Sequence, residues 1–307
     1  MSNSLPIRRA VSLLLSSLEG SVLSDYGFGL RLFRLLVGED PAGLRVAFRG
    51  EPVPAKRHYV AALSFARDYG LLSPVQGVPP DRGFLLLGRT MEDSAAAYCA
   101  LDPFCQVSHL SAMALHGITD RRPQVLLLSA PPPTEWRRLA AVRMEGDLGP
   151  HWQAYRTARF PQLRPLTLVS ILGTPVRFVT TREQGGTRSL AGRGEAAVRL
   201  TTIGRTFLDM LRAPELCGGI HHVLDAFRNH AGGYLPNIID EVSRRGEPID
   251  KVRTGYVLDE VCGLSAEVPP EWQTHVARGG SRRLVGKAPF SSRFSARWCL
   301  SLNEDEA

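Results

Sequence analysis

Apolar residues recur every three or four positions over residues 5–18, where Ile7, Val11, Leu14, Leu15 and Leu18 would share one helical face and Pro6 suits a first turn. The period returns over residues 25–37 through Phe28, Leu32, Leu35 and Leu36. The stretch from Gly38 to Pro54 breaks it, being rich in Gly and Pro, with a short Leu44–Phe48 run that reads as a strand. A third helix is expected from Ala55 to about Tyr69, stopped by Gly70. Leu71–Val75 and Phe84–Gly88 then flank a Gly/Pro turn, as in a β-hairpin. Three helices followed by a hairpin is the element order of a winged helix-turn-helix, expected over residues 1–92.

The pattern changes beyond residue 92. Residues 91–101 and 108–116 read as two small helices divided by Pro103, Val125–Ser129 as a buried strand, and Glu135–Val142 as a further helix. Val169–Ile171 and Val176–Thr181 bracket a Gly173-Thr174-Pro175 turn, a second hairpin. Gln184–Gly194 reads as a loop with four glycines, followed by helices near 203–211, 219–230, 236–245 and 252–262. The fold class expected is therefore α+β, with a mixed α/β C-terminal domain over residues 93–307.

Composition narrows the class. With 307 residues, 44% hydrophobic and 22% charged, the chain is long enough for two domains and has a globular composition. Its net charge of +7 makes a polyanionic partner worth testing, and only Lys56, Lys251 and Lys287 among its 37 basic residues are lysines. The five cysteines Cys99, Cys105, Cys217, Cys262 and Cys299 contain no C-x-x-C pair, so neither a disulfide framework nor a cysteine zinc site is suggested. The Arg8–Leu18 stretch imitates a short signal peptide but passes directly into Glu19 and Gly20, and reads as the first helix. No apolar run reaches the roughly 20 residues needed to span a bilayer, so a cytoplasmic protein without a membrane partner is expected.

Searches for catalytic or cofactor spacings fail in turn. Five residues separate Gly280 from Gly286, one more than a phosphate-wrapping P-loop needs, and Ala288 follows Lys287 where Ser or Thr is required. Gly192, Gly194 and Ala197 match the loose dinucleotide pattern, but no strand leads into them. A carboxylate-lysine nuclease wants an acid two positions before a lysine, where Pro54, Ile249 and Val285 stand. No Asp-x-Asp, G-x-S-x-G or H-E-x-x-H occurs, so nucleotidyltransfer and the commonest hydrolytic chemistries lack their groups. His221, His222 and His230 with Asp225 could lie on adjoining turns as metal ligands or as solvated and capping residues. His109 and His116, two turns apart, read as buried hydrogen-bonding histidines. No enzyme activity and no cofactor is expected.

Basic residues remain. Lys56, Arg57 and His58 open the third helix, where a winged helix presents its recognition helix to the major groove. Arg67 lies three turns on, and Arg82 and Arg89 fall in the wing, within reach of phosphate or the minor groove. The first ninety residues carry a net charge of +4, from eleven bases and seven acids. A second basic stretch, Arg278 to Arg297, includes Arg282, Arg283, Lys287 and Arg293 and contains no acid. Phe290, Phe294 and Trp298 repeat within it at spacing four, as on a helix face that is either docked or available for stacking RNA bases.

The sequence Ser108-His109-Leu110-Ser111-Ala112-Met113-Ala114-Leu115-His116-Gly117 is similar to the Ser-His-x-Ser-Ala-x-x-x-His-Gly stretch of a known family. Arg205, Leu208, Asp209, Leu211, Pro214, Gly218 and Gly219 within Thr201–Ile220, and the Arg293–Leu302 segment around Trp298, add to the likeness. Over most of the chain after residue 55 it resembles the AbiEi antitoxins of type IV (abortive-infection) bacterial toxin–antitoxin systems. The resemblance implies a winged-helix DNA-binding domain joined to a C-terminal antitoxin domain. It further implies repression of the protein's own operon by binding double-stranded DNA at promoter repeats, and neutralisation of a separately encoded nucleotidyltransferase-like toxin without catalysis. One departure is that Gly38–Pro54 separates the second and third helices, where a compact helix-turn-helix has three or four residues; which helix enters the groove is left open. The alternative is a toxin-binding or scaffold protein whose basic surface does not read DNA.

Overall fold

A computed structural model describes residues 5–47, 53–182, 186–190, 197–276 and 282–306. The elements run α1 (Ile7–Ser16), β1 (Val22–Ser24), α2 (Asp25–Val37), α3 (Lys56–Asp68), β2 (Leu72–Pro74), β3 (Gly83–Leu86), α4 (Ser94–Leu101), β4 (Gln106–Val107), α5 (His109–His116), β5 (Leu126–Ala130) and α6 (Pro133–Leu148). They continue with α7 (Trp152–Thr157), β6 (Ser170–Ile171), β7 (Thr174–Thr180), β8 (Thr187–Leu190), β9 (Val198–Thr201), α8 (Ile203–Arg212), α9 (Ile220–Arg245), α10 (Pro248–Tyr256), β10 (Phe294–Ser295) and β11 (Leu300–Ser301). The chain is thus α+β. No described helix is long and apolar enough to cross a membrane.

Two compact units interleave along the sequence. The first runs past residue 92 to Cys105 and takes up Ala130–Arg182 and Ser189–Arg199; the second holds Gln106–Ser129, Glu183–Arg188 and Leu200–Ala307.

In the first unit, α2 starts where Ser24 Oγ accepts the Gly27 N–H at 3.0 Å, and ends at Gly38 in the left-handed conformation. The three short strands β1, β3 and β2 form one antiparallel sheet with β3 central, pairing Leu23 with Phe84 and Pro74 with Phe84. Leucine and aromatic side chains from α1, α2, α3 and β3 fill the core together with α6 and α7. Its centre is a ring cluster in which Tyr59 of α3 meets Phe28 of α2 at 5.6 Å and Phe160, just after α7, at 5.9 Å between centroids. This cluster holds the segment after α7 beside α3.

In the second unit, β4 pairs antiparallel with β5 and parallel with β9 through Val107 and Leu200. Helices α8, α9 and α10 build a second core around Phe207, Phe227 and Trp298. Gly204 lets α8 lie directly on α9: a Cβ there would stand 2.2 Å from the Asn237 carbonyl oxygen. Gly204→Ala is therefore expected to destabilise this unit by roughly 1–3 kcal/mol through forced separation of the helices, read as a lower urea midpoint.

Several expectations are corrected. The two helices expected near 219–230 and 236–245 are one helix, α9, with Pro236 inside it. Its buried face continues through Phe227, Ala231, Ile238 and Val242, and that burial outweighs the break signalled by Gly232, Gly233 and Pro236. The 184–194 loop contains the strand β8; residues 183–185 and 191–196 lie outside the described residues. Among the described residues of the Leu44–Phe48 run, Val46 makes an isolated bridge to Leu5 and no longer strand forms, and residue 48 lies outside the described residues. The Phe290–Trp298 stretch is not a helix face: residues 294–301 form the β10–β11 hairpin, Trp298 is buried, and Phe290 and Phe294 are exposed. Pro289 and the Ser291-Ser292 pair resist a helix here, and Ser295 Oγ instead accepts the Trp298 N–H at 3.1 Å.

Candidate nucleic-acid interface

Helix α3 buries Tyr59, Ala62 and Ala66 and turns Lys56, Arg57, Val60, Ala61 and Ser64 to solvent. No acid occurs between Lys56 and Arg67, and neither Lys56 nor Arg57 has an ion-pair partner among the described residues. Small side chains at Ala61 and Ser64 keep the rest of that face low, so a duplex could approach the helix closely.

The other expected contacts are engaged with the unit itself. His58 Nδ1 accepts the Ala55 N–H at 3.2 Å, capping the helix; partial burial and then the Arg57 charge push its pKa down, which favours the neutral ring the cap requires. Arg67 donates to the Pro80 carbonyl and lies 5.3 Å over the Phe84 ring. Arg82 donates to the Arg164 and Pro165 carbonyls and faces the buried Asp25 at 3.6 Å. Arg89 donates to the Leu18 carbonyl at 3.2 Å. Burial raises the Asp25 pKa even though Arg164, at 3.0 Å, and Arg82 oppose the shift. Arg67, Arg82 and Arg89 thus tie the hairpin to its surroundings.

Beside the start of α3 lies an open cleft of about 540 Å³, bordered by Lys56, Asp81, Arg156, Arg159 and Arg164. Arg156 lies over the Trp152 ring, and neither Arg156 nor Arg159 has an ion-pair partner among the described residues. Arg159 has φ 55, a left-handed conformation that costs a non-glycine residue on the order of 1 kcal/mol. Neither is marked in the sequence, because only the fold brings the end of α7, with Arg156, and the turn after it, with Arg159, to α3.

The second basic stretch is partly neutralised and otherwise engaged with the protein. Arg293 pairs with Glu304 at 3.1 Å and Asp305 at 2.9 Å, and Lys287 pairs with Glu215. Arg282 donates to the His275 carbonyl, and Arg283 donates to the Ala288 carbonyl while lying 4.9 Å over Phe290. Arg278 lies outside the described residues.

The histidines of the Ser108–Gly117 stretch hold structure. His109 is buried with Nδ1 2.8 Å from Ser108 Oγ, while Ser111 Oγ accepts the Leu127 N–H and fastens α5 to β5. His116 Nε2–H donates to the Thr201 carbonyl at 2.8 Å. His222 Nε2 lies 2.9 Å from Thr119 Oγ1, and among the described residues no group of three or more His, Cys, Asp and Glu could hold a metal ion.

Partial burial pushes the His116 pKa below its ordinary 6.5 despite the Thr201 contact. The unfolded chain therefore binds more protons just below pH 6.5, so stability rises with pH across that interval and is lost on acidification through the folded value. The urea midpoint should fall on going from about pH 7.5 to about pH 5.5, and His116→Gln should flatten that dependence.

No family model matches this chain, and no curated protein matches it. Its fold is similar to the crystal structure of the Rv2827c protein from Mycobacterium tuberculosis, with a TM-score of 0.50 over 97% of this chain and 92% of that one. At 15% identity the likeness concerns the fold alone.

Proposed function

We propose that this chain is a non-enzymatic DNA-binding autorepressor and antitoxin of the AbiEi type. In this reading α1–α3 with β1–β3 act as a winged helix-turn-helix, and the rest of the chain serves neutralisation of a nucleotidyltransferase-like toxin. The order α1-β1-α2-α3-β2-β3, with β3 central in its sheet, supports the first half. The resemblance carried by the Ser108–Gly117 and Thr201–Ile220 stretches supports the second.

The observation that carries the DNA reading is the exposed pair Lys56 and Arg57 at the start of α3, free of carboxylate partners among the described residues. Arg156 and Arg159 extend the same cationic surface. If both meet phosphate, Arg156→Ala with Arg159→Ala lowers the slope of log K against log salt by about 1.8, at about 0.9 per phosphate.

Cells give the direct test of the whole reading. The chain should repress a reporter driven by the DNA upstream of its own reading frame. It should also relieve growth arrest by a neighbouring gene product that carries Gly-Ser followed by Asp-x-Asp. A chain that does neither refutes the proposal.

A further inference from the structure

The first unit contains a second cavity, of about 620 Å³, on the side of α2 bearing Arg31 and Arg34. That volume falls among those of small-ligand sites. Leu14, Leu18, Leu30 and Leu101 make its apolar wall.

Its lining carries three arginines, Arg31, Arg34 and Arg143, against the two carboxylates Asp40 and Asp147. Arg31 and Arg34 stand one helical turn apart and enter the same space. Arg31 Nη1 donates to the Gly27 carbonyl of its own helix at 3.0 Å, and Arg34 Nη2 donates to the Asp147 carbonyl. Neither has an ion-pair partner among the described residues. The two carboxylates at the cavity accept hydrogen bonds from donors other than Arg31 and Arg34. Asp147 accepts from Tyr26 Oη at 3.0 Å and Arg143 Nε at 2.9 Å, and Asp40 accepts the Ala42 and Leu44 N–H groups at 3.0 and 3.1 Å. Burial first, and the Arg34 charge second, push the Arg31 pKa down, although Asp147 opposes the shift. Two half-buried guanidiniums side by side are a costly arrangement that a bound dianion relieves.

We propose that this cavity binds a small organic phosphate, a phosphomonoester whose phosphate is held by Arg31 and Arg34 and whose body lies on the leucine wall. Phosphate suits the site because its charge of nearly −2 matches two guanidiniums and its three oxygens accept from both planar forks. The apolar wall adds a preference for an ester with an apolar or aromatic body over the inorganic ion. The site meets the cleft beside α3 only at Leu163, and none of its charged groups belongs to that cleft, so the assignment does not require the chain to bind DNA.

The test is isothermal titration of the full chain, without DNA, using AMP and phenyl phosphate as probes. Adenosine and phenol control for the phosphate, and inorganic phosphate controls for the body. At least one phosphomonoester should bind saturably at one site with a Kd below about 1 mM, tighter than inorganic phosphate, while adenosine and phenol give no saturable heat. Arg31→Gln, which gives up only one hydrogen bond within its own helix, should weaken that binding by roughly tenfold or more. Ser17→Trp, on the exposed rim, should block the cavity without altering its charge. Absence of saturable binding by either phosphomonoester, or binding unchanged in both variants, overturns the assignment.

Discussion

If the chain binds DNA as proposed, alanine at both Lys56 and Arg57 should lower its affinity for a duplex on the order of 50-fold at about 0.1 M salt, and reduce the slope of log K against log salt by about 1.8. The magnitude follows from two lost phosphate contacts, each releasing about 0.9 of a counterion. Both side chains are solvent-exposed at the first turn of α3, so their removal leaves the Tyr59, Ala62 and Ala66 packing face intact. If one of them pairs with a guanine edge instead, discrimination against a mutated operator falls by about 1–3 kcal/mol while the slope changes less. Arg244→Ala, which removes an exposed cation already paired with Asp240 on α9, should leave both affinity and slope unchanged. Fluorescence anisotropy across a salt series reads all of these quantities.

The largest effect on stability is expected at Trp298. Its ring is wholly buried, its Nε1–H donates to Asp259 at 2.9 Å, and it stacks so closely on α10 that a Cβ at Gly255 would stand 2.2 Å from Cη2. Trp298→Ala should cost about 3–5 kcal/mol, the sum of lost burial and the cavity left behind. It also deprives the buried Asp259 of a donor, leaving Arg297 at 2.8 Å and Ser265 as its partners. Gly255→Ala should destabilise the wild type by overpacking, yet cost little in the Trp298→Ala background, where the ring it would strike is gone. Urea unfolding of the four proteins closes this double-mutant cycle. Additive costs would mean that the two positions do not share the contact.

The helices α1, α2 and α3 were legible because each buries one amphipathic face, and the 3.6-residue period records that face directly in the sequence. Helix α9 was not, because Gly232, Gly233 and Pro236 are local signals of a break. What overrides them is contact with residues distant in sequence, such as Phe207. The second basic stretch looked like a charged surface for the same reason: Glu215 and Asp259, which answer Lys287 and Arg297, lie far upstream. At the candidate interface, the sequence located Lys56 and Arg57. It could not distinguish them from Arg67, Arg82 and Arg89, whose partners are backbone carbonyls brought near by folding. Arg156 and Arg159 carried no signal, since only the ring cluster around Tyr59 and Phe160 draws the end of α7 and the turn after it to α3.

The proposed DNA binding depends on a contact between a duplex and the cationic face at the start of α3. Its sharpest test is the salt dependence of full-length protein binding to a labelled duplex from upstream of its own reading frame, alongside a scrambled duplex. Engagement by Lys56, Arg57, Arg156 and Arg159 predicts a slope of about −3.6 or steeper, together with tighter binding to the native sequence. A slope near zero, or identical affinity and slope in the Lys56→Ala/Arg57→Ala variant, would contradict it.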